Sequence, residues 1–438
     1  MRWSNQSLRL TLGLVAACVV LAVPVVWRLL TSRAPVDPPM AQAGYELFHH
    51  EWKPGDSLSP GGDGLGPVFN ATSCVSCHNQ GGSGGGGSGD NNVISFSLNR
   101  GRAVPREGVL HSGATREEFQ EKLSDVHPNL PAITQGELLS QFRDLQRGGA
   151  DFIKLGIVTQ VNTPALFGSG LIDALPDRVL VAEEERQRFK WSIPSTEEGK
   201  RLSGDWELLL DKGELPVGRV SRLADGRIGK FGWKGQTATL SDFVQAACAN
   251  ELGLGNPNHP QPRSLHQPDY VAAGLDLTQQ QCDQLTAYVA SLDRPREREP
   301  VDFLLGQSDA AAGKVLFVKI GCADCHAPRL GDIEGIYSDL LLHGMSDGMG
   351  GGAGYRGEIV AAATSDPKKG PEAREWRTPP LWGVADSAPY MHDGRAGTLE
   401  EAIKLHGGQG ARSAKRYDEL KKAERKQVLA FLGTLRAP

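Results

Sequence analysis

Two Cys-x-x-Cys-His pentapeptides, Cys74-Val75-Ser76-Cys77-His78 and Cys322-Ala323-Asp324-Cys325-His326, bring thiols and an imidazole together at a spacing with a definite chemistry. Two thiols three positions apart can add to the two vinyl groups of one porphyrin, and the adjacent histidine then lies under the iron. Zinc knuckles and redox dithiols also pair cysteines. Here both copies carry the histidine, and neither sits in a strand-to-helix pattern. The motifs predict two covalently bound c-type haems, with Cys74, Cys77, Cys322 and Cys325 as attachment points and His78 and His326 as proximal iron ligands.

The surrounding chain repeats itself. Ala43-Gly44-Tyr45-Glu46-Leu47-Phe48 reappears as Ala312-Gly313-Lys314-Val315-Leu316-Phe317, each on a short amphipathic helix leading into a motif. Thr163-Pro164-Ala165-Leu166-Phe167-Gly168 reappears as Thr378-Pro379-Pro380-Leu381-Trp382-Gly383. A third pair matches Gly232–Leu240 to His392–Leu399, with Thr239 and Thr398 placed to cap the helical patterns that follow. The fold class predicted is mostly α: two cytochrome c-like haem domains, 39–292 and 301–438, after a leader and linker at 1–38. The Pro- and Arg-rich stretch Leu292–Pro300 is the linker between them. The first domain is enlarged by insertions at 115–160 and 177–225, to which no chemistry is assigned. Gly81–Asp90, almost pure Gly and Ser, should be a mobile loop beside the first haem.

The 54 Gly and 27 Pro, with 39% hydrophobic residues, suit short helices and long loops whose core is completed by haem faces. A net charge of -5 and a pI near 6.2 argue against nucleic acid, and a small carrier protein would dock through a local patch. Leu10–Trp27 is an uncharged apolar run of 18 residues preceded by Arg2 and Arg9. It reads as a signal peptide or an uncleaved membrane anchor, either of which places the haems on the periplasmic side. Val15-Ala16-Ala17-Cys18 has the look of a lipoprotein box, but the apolar run continues past it. Cys248 and Cys282 remain, either as a disulfide or as two buried apolar side chains.

Gly66-Pro67-Val68-Phe69-Asn70, Gly168-Ser169-Gly170-Leu171-Ile172 and Trp376-Arg377-Thr378-Pro379-Pro380-Leu381-Trp382-Gly383 resemble the di-haem oxidoreductase family, over most of the chain after residue 40. Ala388-Pro389-Tyr390-Met391-His392-Asp393-Gly394 with Thr398-Leu399-Glu400-Glu401-Ala402 is similar to the C-terminal domain of bacterial di-haem cytochrome c peroxidases. That resemblance implies electrons supplied by a small donor protein, such as a cytochrome or cupredoxin. They arrive at the C-terminal haem and pass to an open N-terminal haem that reduces peroxide. Relatives that oxidise a partner protein or an organic substrate through a ferryl state supply an alternative, and a pure electron-transfer cytochrome is another.

The resemblance also carries residues. The related peroxidases place a sixth iron ligand, usually Met, fourteen residues after the motif histidine; counting from His392 reaches His406, which would lower the potential of that haem. Met345, Met349, Met391 and His343 are the other candidates. A catalytic acid/base ends the helix corresponding to Ser241–Leu252; Glu251 fits, although the spacing from Trp233 leaves Asn250 open. Trp233 aligns with a tryptophan between the haems, but Trp233-Lys234-Gly235-Gln236 stands where the peroxidases have Trp-Asp-Gly-Arg, and a core aromatic is the plain alternative. Asn162, Ser387 and Pro389 match positions that hold a calcium ion. Arg377 and Arg395 are candidates to pair with haem propionates. His392 is structural or a propionate partner, and His49, His50 or His111 could reach the first haem's distal face. His127, His259 and His266 read as surface residues.

Overall fold

Two helix crossings frame the fold, and each depends on a glycine. Helix Pro38–His49 packs on helix Gln279–Ser291, and helix Asp309–Lys319 packs on helix Lys422–Leu432. A Cβ on Gly44 would stand 1.9 Å from the Gln284 carbonyl oxygen and 2.8 Å from Tyr288 Cβ; one on Gly313 would stand 1.8 Å from the Gln427 oxygen and 3.0 Å from Phe431 Cβ. The repeated Ala-Gly is therefore where two backbones touch, and a side chain there would force them apart. This computed structural model describes residues 37–98, 106–117, 157–192, 215–262, 271–295, 297, 308–346, 348 and 374–438.

Thr239 and Thr398 do cap helices Leu240–Leu252 and Leu399–Lys404, accepting from the backbone N–H of Asp242 and Glu401. The other repeats meet around an approximate two-fold. Asn162 N donates to His392 O and Arg377 N to Trp233 O, both at 2.8 Å. Phe231 bridges Thr237 as Tyr390 bridges Ala396. Gly168, at φ 71°, faces the Trp382 ring, while Gly383, at φ 69°, faces Phe167. Such exchange of partners is what a self-complementary contact produces.

The mostly α expectation needs correction. Helices carry the frame, but among the described residues the connections form five small sheets. Val93–Leu98 pairs antiparallel with Arg106–Leu110 and Ile157–Val161, and Leu342–Gly344 pairs with Glu375–Arg377. Gly- and Pro-rich connections cannot extend a helix, so their backbone groups find partners across short strands. Gly81–Asp90 is not a loose loop either. Gly84 to Gly87 are buried, Gln80 bridges Gly86, and Gly84 N donates to His78 O at 2.9 Å.

One hydrophobic cluster joins Phe48, Leu252 and Leu285 to Leu330, Ile336 and Trp382, and a second gathers Phe317, Tyr337, Tyr417 and Phe431. Cys248 and Cys282 sit in the first as free buried thiols, the apolar one of their two readings. Leu10–Trp27, Cys18, Met349, His127, His266, most of 115–160 and parts of 177–225 and 292–300 lie outside the described residues. Among the described residues no helix is long and apolar enough to cross a membrane.

Gly44→Ala and Gly313→Ala should each destabilise the protein by about 1–3 kcal/mol through overpacking against backbone, read as a lowered thermal unfolding midpoint.

Candidate functional site

The second Cys-x-x-Cys-His opens on a cavity of about 300 Å³ lined by Cys322, Cys325, His326, Arg377 and His406 among others. His326 Nδ1 lies 3.0 Å from Tyr337 O, and His406 Nδ1 lies 2.7 Å from Ala402 O. A carbonyl can only accept, so both protons are on Nδ1, and Nε2 is the nitrogen of each ring left able to ligate a metal. The ring centroids are 6.4 Å apart. A metal between two imidazoles needs about 2 Å per bond plus about 1 Å to each ring centre, roughly 6 Å in all. Burial pulls His326 down to about 4 and lowers His406 as well, so both rings are neutral, as ligands must be. The pair suits a haem iron held from both faces.

Arg377 fits the same group. Its Nε donates to Gly232 O at 2.8 Å, while its buried Nη1 has no hydrogen-bond partner among the described residues. A propionate would satisfy that donor. Burial lowers Arg377 to about 10. Arg395 lines neither cavity: it pairs with Asp393 and donates to Gly348 O at 2.7 Å. The sequence offers both arginines as propionate partners, but of the two only Arg377 lines a cavity. His392 lines the second cavity, stacked 3.6 Å from Trp376, over whose ring the Lys234 ammonium lies at 3.9 Å.

His343, Met345 and Met391 line this cavity too. Both His343 nitrogens are engaged, one 2.8 Å from Asp339 and the other 2.7 Å from Gln409, so its ring is not offered to iron. Asp339 is held further by Gln187 Nε2 at 2.8 Å. This buried network was not read from the sequence, because nothing local marks residues so far apart as partners. The calcium set is a poor fit. Asn162 Nδ2 donates to Pro389 O at 3.0 Å, and Ser387 Oγ donates to Gly383 O at 2.6 Å. Only the Ser387 hydroxyl and the Pro389 carbonyl are engaged by these bonds, and the trio holds no carboxylate, which leaves it weakly charged for calcium.

The first motif opens on a cavity of about 100 Å³ lined by Cys74, Cys77, His78, Trp233 and Glu251, among others. His78 Nδ1 lies 3.1 Å from Gly85 O, the same arrangement as at His326, and burial pulls the ring down to about 4. Burial also pushes the thiols of Cys74 and Cys322 up to about 12, so these sites favour uncharged sulfur, which a thioether supplies.

Glu251 faces this cavity, its Oε2 accepting from Asn70 Nδ2 at 2.7 Å. Asn250 does not; its amide folds back 2.7 Å onto Ala246 O. His111 is spent on Asn250 O at 2.9 Å, His50 on Asp56 at 2.8 Å, and His49 bonds Tyr45 O and Ser83, so none of them lines the cavity. Trp233 lines both cavities and donates from Nε1 to Asn162 O at 2.8 Å.

The family described as "Di-haem oxidoreductase, putative peroxidase" matches residues 154–435. The chain belongs to this family. It is a haem oxidoreductase. The matched span begins after Cys77, so the first motif rests on its own geometry. A cytochrome-c peroxidase of Pseudomonas sp. (strain SCT), IdrP1, is 26% identical over 54% of this chain and 77% of its own. The methylamine utilization protein MauG of Methylorubrum extorquens is 30% identical over 30% of this chain and 35% of its own. A solved structure of a MauG-like protein associated with microbial copper homeostasis is 20% identical, covering 61% of this chain and 90% of that one with a TM-score of 0.30.

The His343–Asp339 pair makes a pH prediction. Burial alone would lower His343, but Cys325 and Asp339 beside it outweigh this and hold it well above its ordinary value. For Asp339 burial would raise the carboxyl, but the charge and hydrogen bond of His343 keep it low. The His343 contribution is complete below about pH 6.5 and is lost as pH rises through its raised pKa; that of Asp339 is present above about pH 4 and is lost as pH falls through its lowered one. His343→Leu should cost about 3–5 kcal/mol near pH 5.5. The gap should narrow on the alkaline side in thermal unfolding measured across pH.

Proposed function

We propose that this chain is an exported di-haem c-type oxidoreductase of peroxidase type, with a closed second haem that relays electrons and an open first haem that reduces peroxide. The observation that carries the reading is Trp233, one aromatic ring lining two cavities that each contain a Cys-x-x-Cys-His. When bound through Cys74 and Cys77 and through Cys322 and Cys325, the haems supply electron storage and peroxide reduction.

The chain's own residues set the division of labour. His326 and His406 would together hold the second haem's iron, which would leave no place for a substrate there. Among the described residues lining the first cavity, His78 is the sole imidazole and no methionine joins it, which favours an open position. Glu251 on that wall takes a proton from the near oxygen of peroxide and returns it to the far one as the O–O bond breaks. Asn70 holds this carboxylate in place. Trp233, fixed by Asn162 O, shortens the electron path, and Arg377 anchors a propionate of the second haem. Residues 39–292 and 301–438 are the two haem domains, the apolar leader supports export and anchoring, and a small cytochrome or cupredoxin is the electron donor.

EPR of the oxidised protein should show one high-spin and one low-spin haem. Two low-spin signals with no cyanide binding would make the chain an electron carrier instead. His406→Ala should remove the low-spin signal of the second haem. Glu251→Gln should slow the reaction with peroxide by about 10²–10⁴-fold in stopped flow while both spin signals stay unchanged.

A further inference from the structure

We propose that Tyr288 is a redox-active tyrosine that donates an electron to the first haem, its proton leaving through Ser83 to His49, and that Tyr45 is the surface end of this path. The inference rests on the preceding reading, in which peroxide oxidises that haem.

A run of rings leads from the proximal ligand to solvent. Phe48 lies 6.3 Å from His78 and 5.0 Å from Tyr288, centroid to centroid. Tyr288, buried, lies 5.5 Å from Tyr45, which is 43% exposed. The hydrogen bonds around Tyr288 have one direction. His49 Nδ1 lies 2.8 Å from Tyr45 O, and a carbonyl only accepts, so the ring proton is on Nδ1 and Nε2 is an acceptor. Ser83 Oγ, 3.1 Å from that Nε2, must donate to it. The Tyr288 hydroxyl, 2.7 Å from Ser83 Oγ, then donates to Ser83. Burial raises the Tyr288 pKa, so the phenol is protonated at rest and must lose its proton as it loses its electron.

The step balances. One electron passes from Tyr288 to the haem oxidised by peroxide. The Tyr288 O–H bond breaks, its proton joins Ser83 as the Ser83 proton moves to His49 Nε2, and a neutral tyrosyl radical and a protonated His49 remain. A phenolic reductant against the Tyr45 ring returns the electron and becomes a phenoxyl radical as its own proton leaves to solvent, while the proton on His49 travels back through Ser83 to Tyr288. This gives the first haem a way to oxidise an external aromatic donor without using the second.

The duplicated half is an internal control. Lys314 stands in the place of Tyr45, Val318 in that of His49 and Phe431 in that of Tyr288. The packing is nevertheless the same, with Phe317 5.3 Å from Phe431 and 6.5 Å from His326. The crossing needs neither a hydroxyl nor an imidazole, so these groups in the first half serve something other than packing.

Holoprotein mixed with one equivalent of hydrogen peroxide and freeze-quenched should give a tyrosyl EPR signal that narrows when tyrosine rings are deuterated. Tyr288→Phe, which installs the residue of the matching position, should abolish the signal. It should also slow reduction of the oxidised protein by guaiacol at least tenfold, with resting haem spin states unchanged. Ser83→Ala should lower the radical yield and remove most of its solvent deuterium dependence. An unchanged radical in Tyr288→Phe, or an oxidised haem with no tyrosyl radical, would overturn the inference. If peroxide leaves the haem spectra untouched, the peroxidase reading falls instead. Flash oxidation by a ruthenium tris-bipyridine complex with persulfate then decides: a radical lost in Tyr288→Phe sustains the inference, and none in the wild type overturns it.

Discussion

Everything at these sites depends on backbone carbonyls that take the Nδ1 protons of three histidines. An imidazole ligates iron through its bare nitrogen, and the carbonyls of Gly85, Tyr337 and Ala402 decide which nitrogen that is. Each carbonyl is delivered differently. The packed Gly-rich loop presents Gly85, Tyr337 sits at a φ of 48° that turns the chain after the second motif, and Ala402 lies one helical turn before His406. His49 uses the same one-turn device with Tyr45 O, but its Nε2 meets a serine where that of His406 faces the cavity. One local geometry thus turns Nε2 toward a cavity in one place and toward a serine hydroxyl in the other.

The approximate two-fold explains how one scaffold holds two unlike sites. Trp233 and His392 occupy matching positions, and each is fixed through its carbonyl by the other half's Arg377 or Asn162. Trp233 reaches both cavities, whereas His392 stacks on Trp376 beside the second alone. The backbone exchange is symmetric, and the side chains hung on it are not.

The parts legible in the sequence are those in which chemistry or backbone contact fixes residue type at short range. The chemistry of a haem-attachment motif would fix Cys-x-x-Cys-His, capping fixes Thr239 and Thr398, and helix contact fixes Gly44 and Gly313. His406 could be placed by counting because one helix separates it from His392. Misreadings occurred where partners are distant. Gly and Ser content alone makes Gly81–Asp90 look loose, since its contacts to Thr163 and Leu166 are tertiary. Arg377 and Arg395 look alike until a buried strand takes one and Asp393 takes the other. Tyr288 gave no signal because its relay joins segments more than 200 residues apart.

The two glycine crossings also set a timetable. The loop closed between Gly44 and Gln284 is more than twice as long as that between Gly313 and Gln427. The entropic difference is under about 1 kcal/mol, because closure cost grows only with the logarithm of length. The difference in waiting time is larger. At about 5–20 residues per second, a chain made from its N-terminus leaves the first crossing unformed for roughly 10–50 s, about twice as long as the second. Cys74 and Cys77 therefore stay on an open chain through most of that interval, whereas Cys322 and Cys325 are enclosed after a wait about half as long.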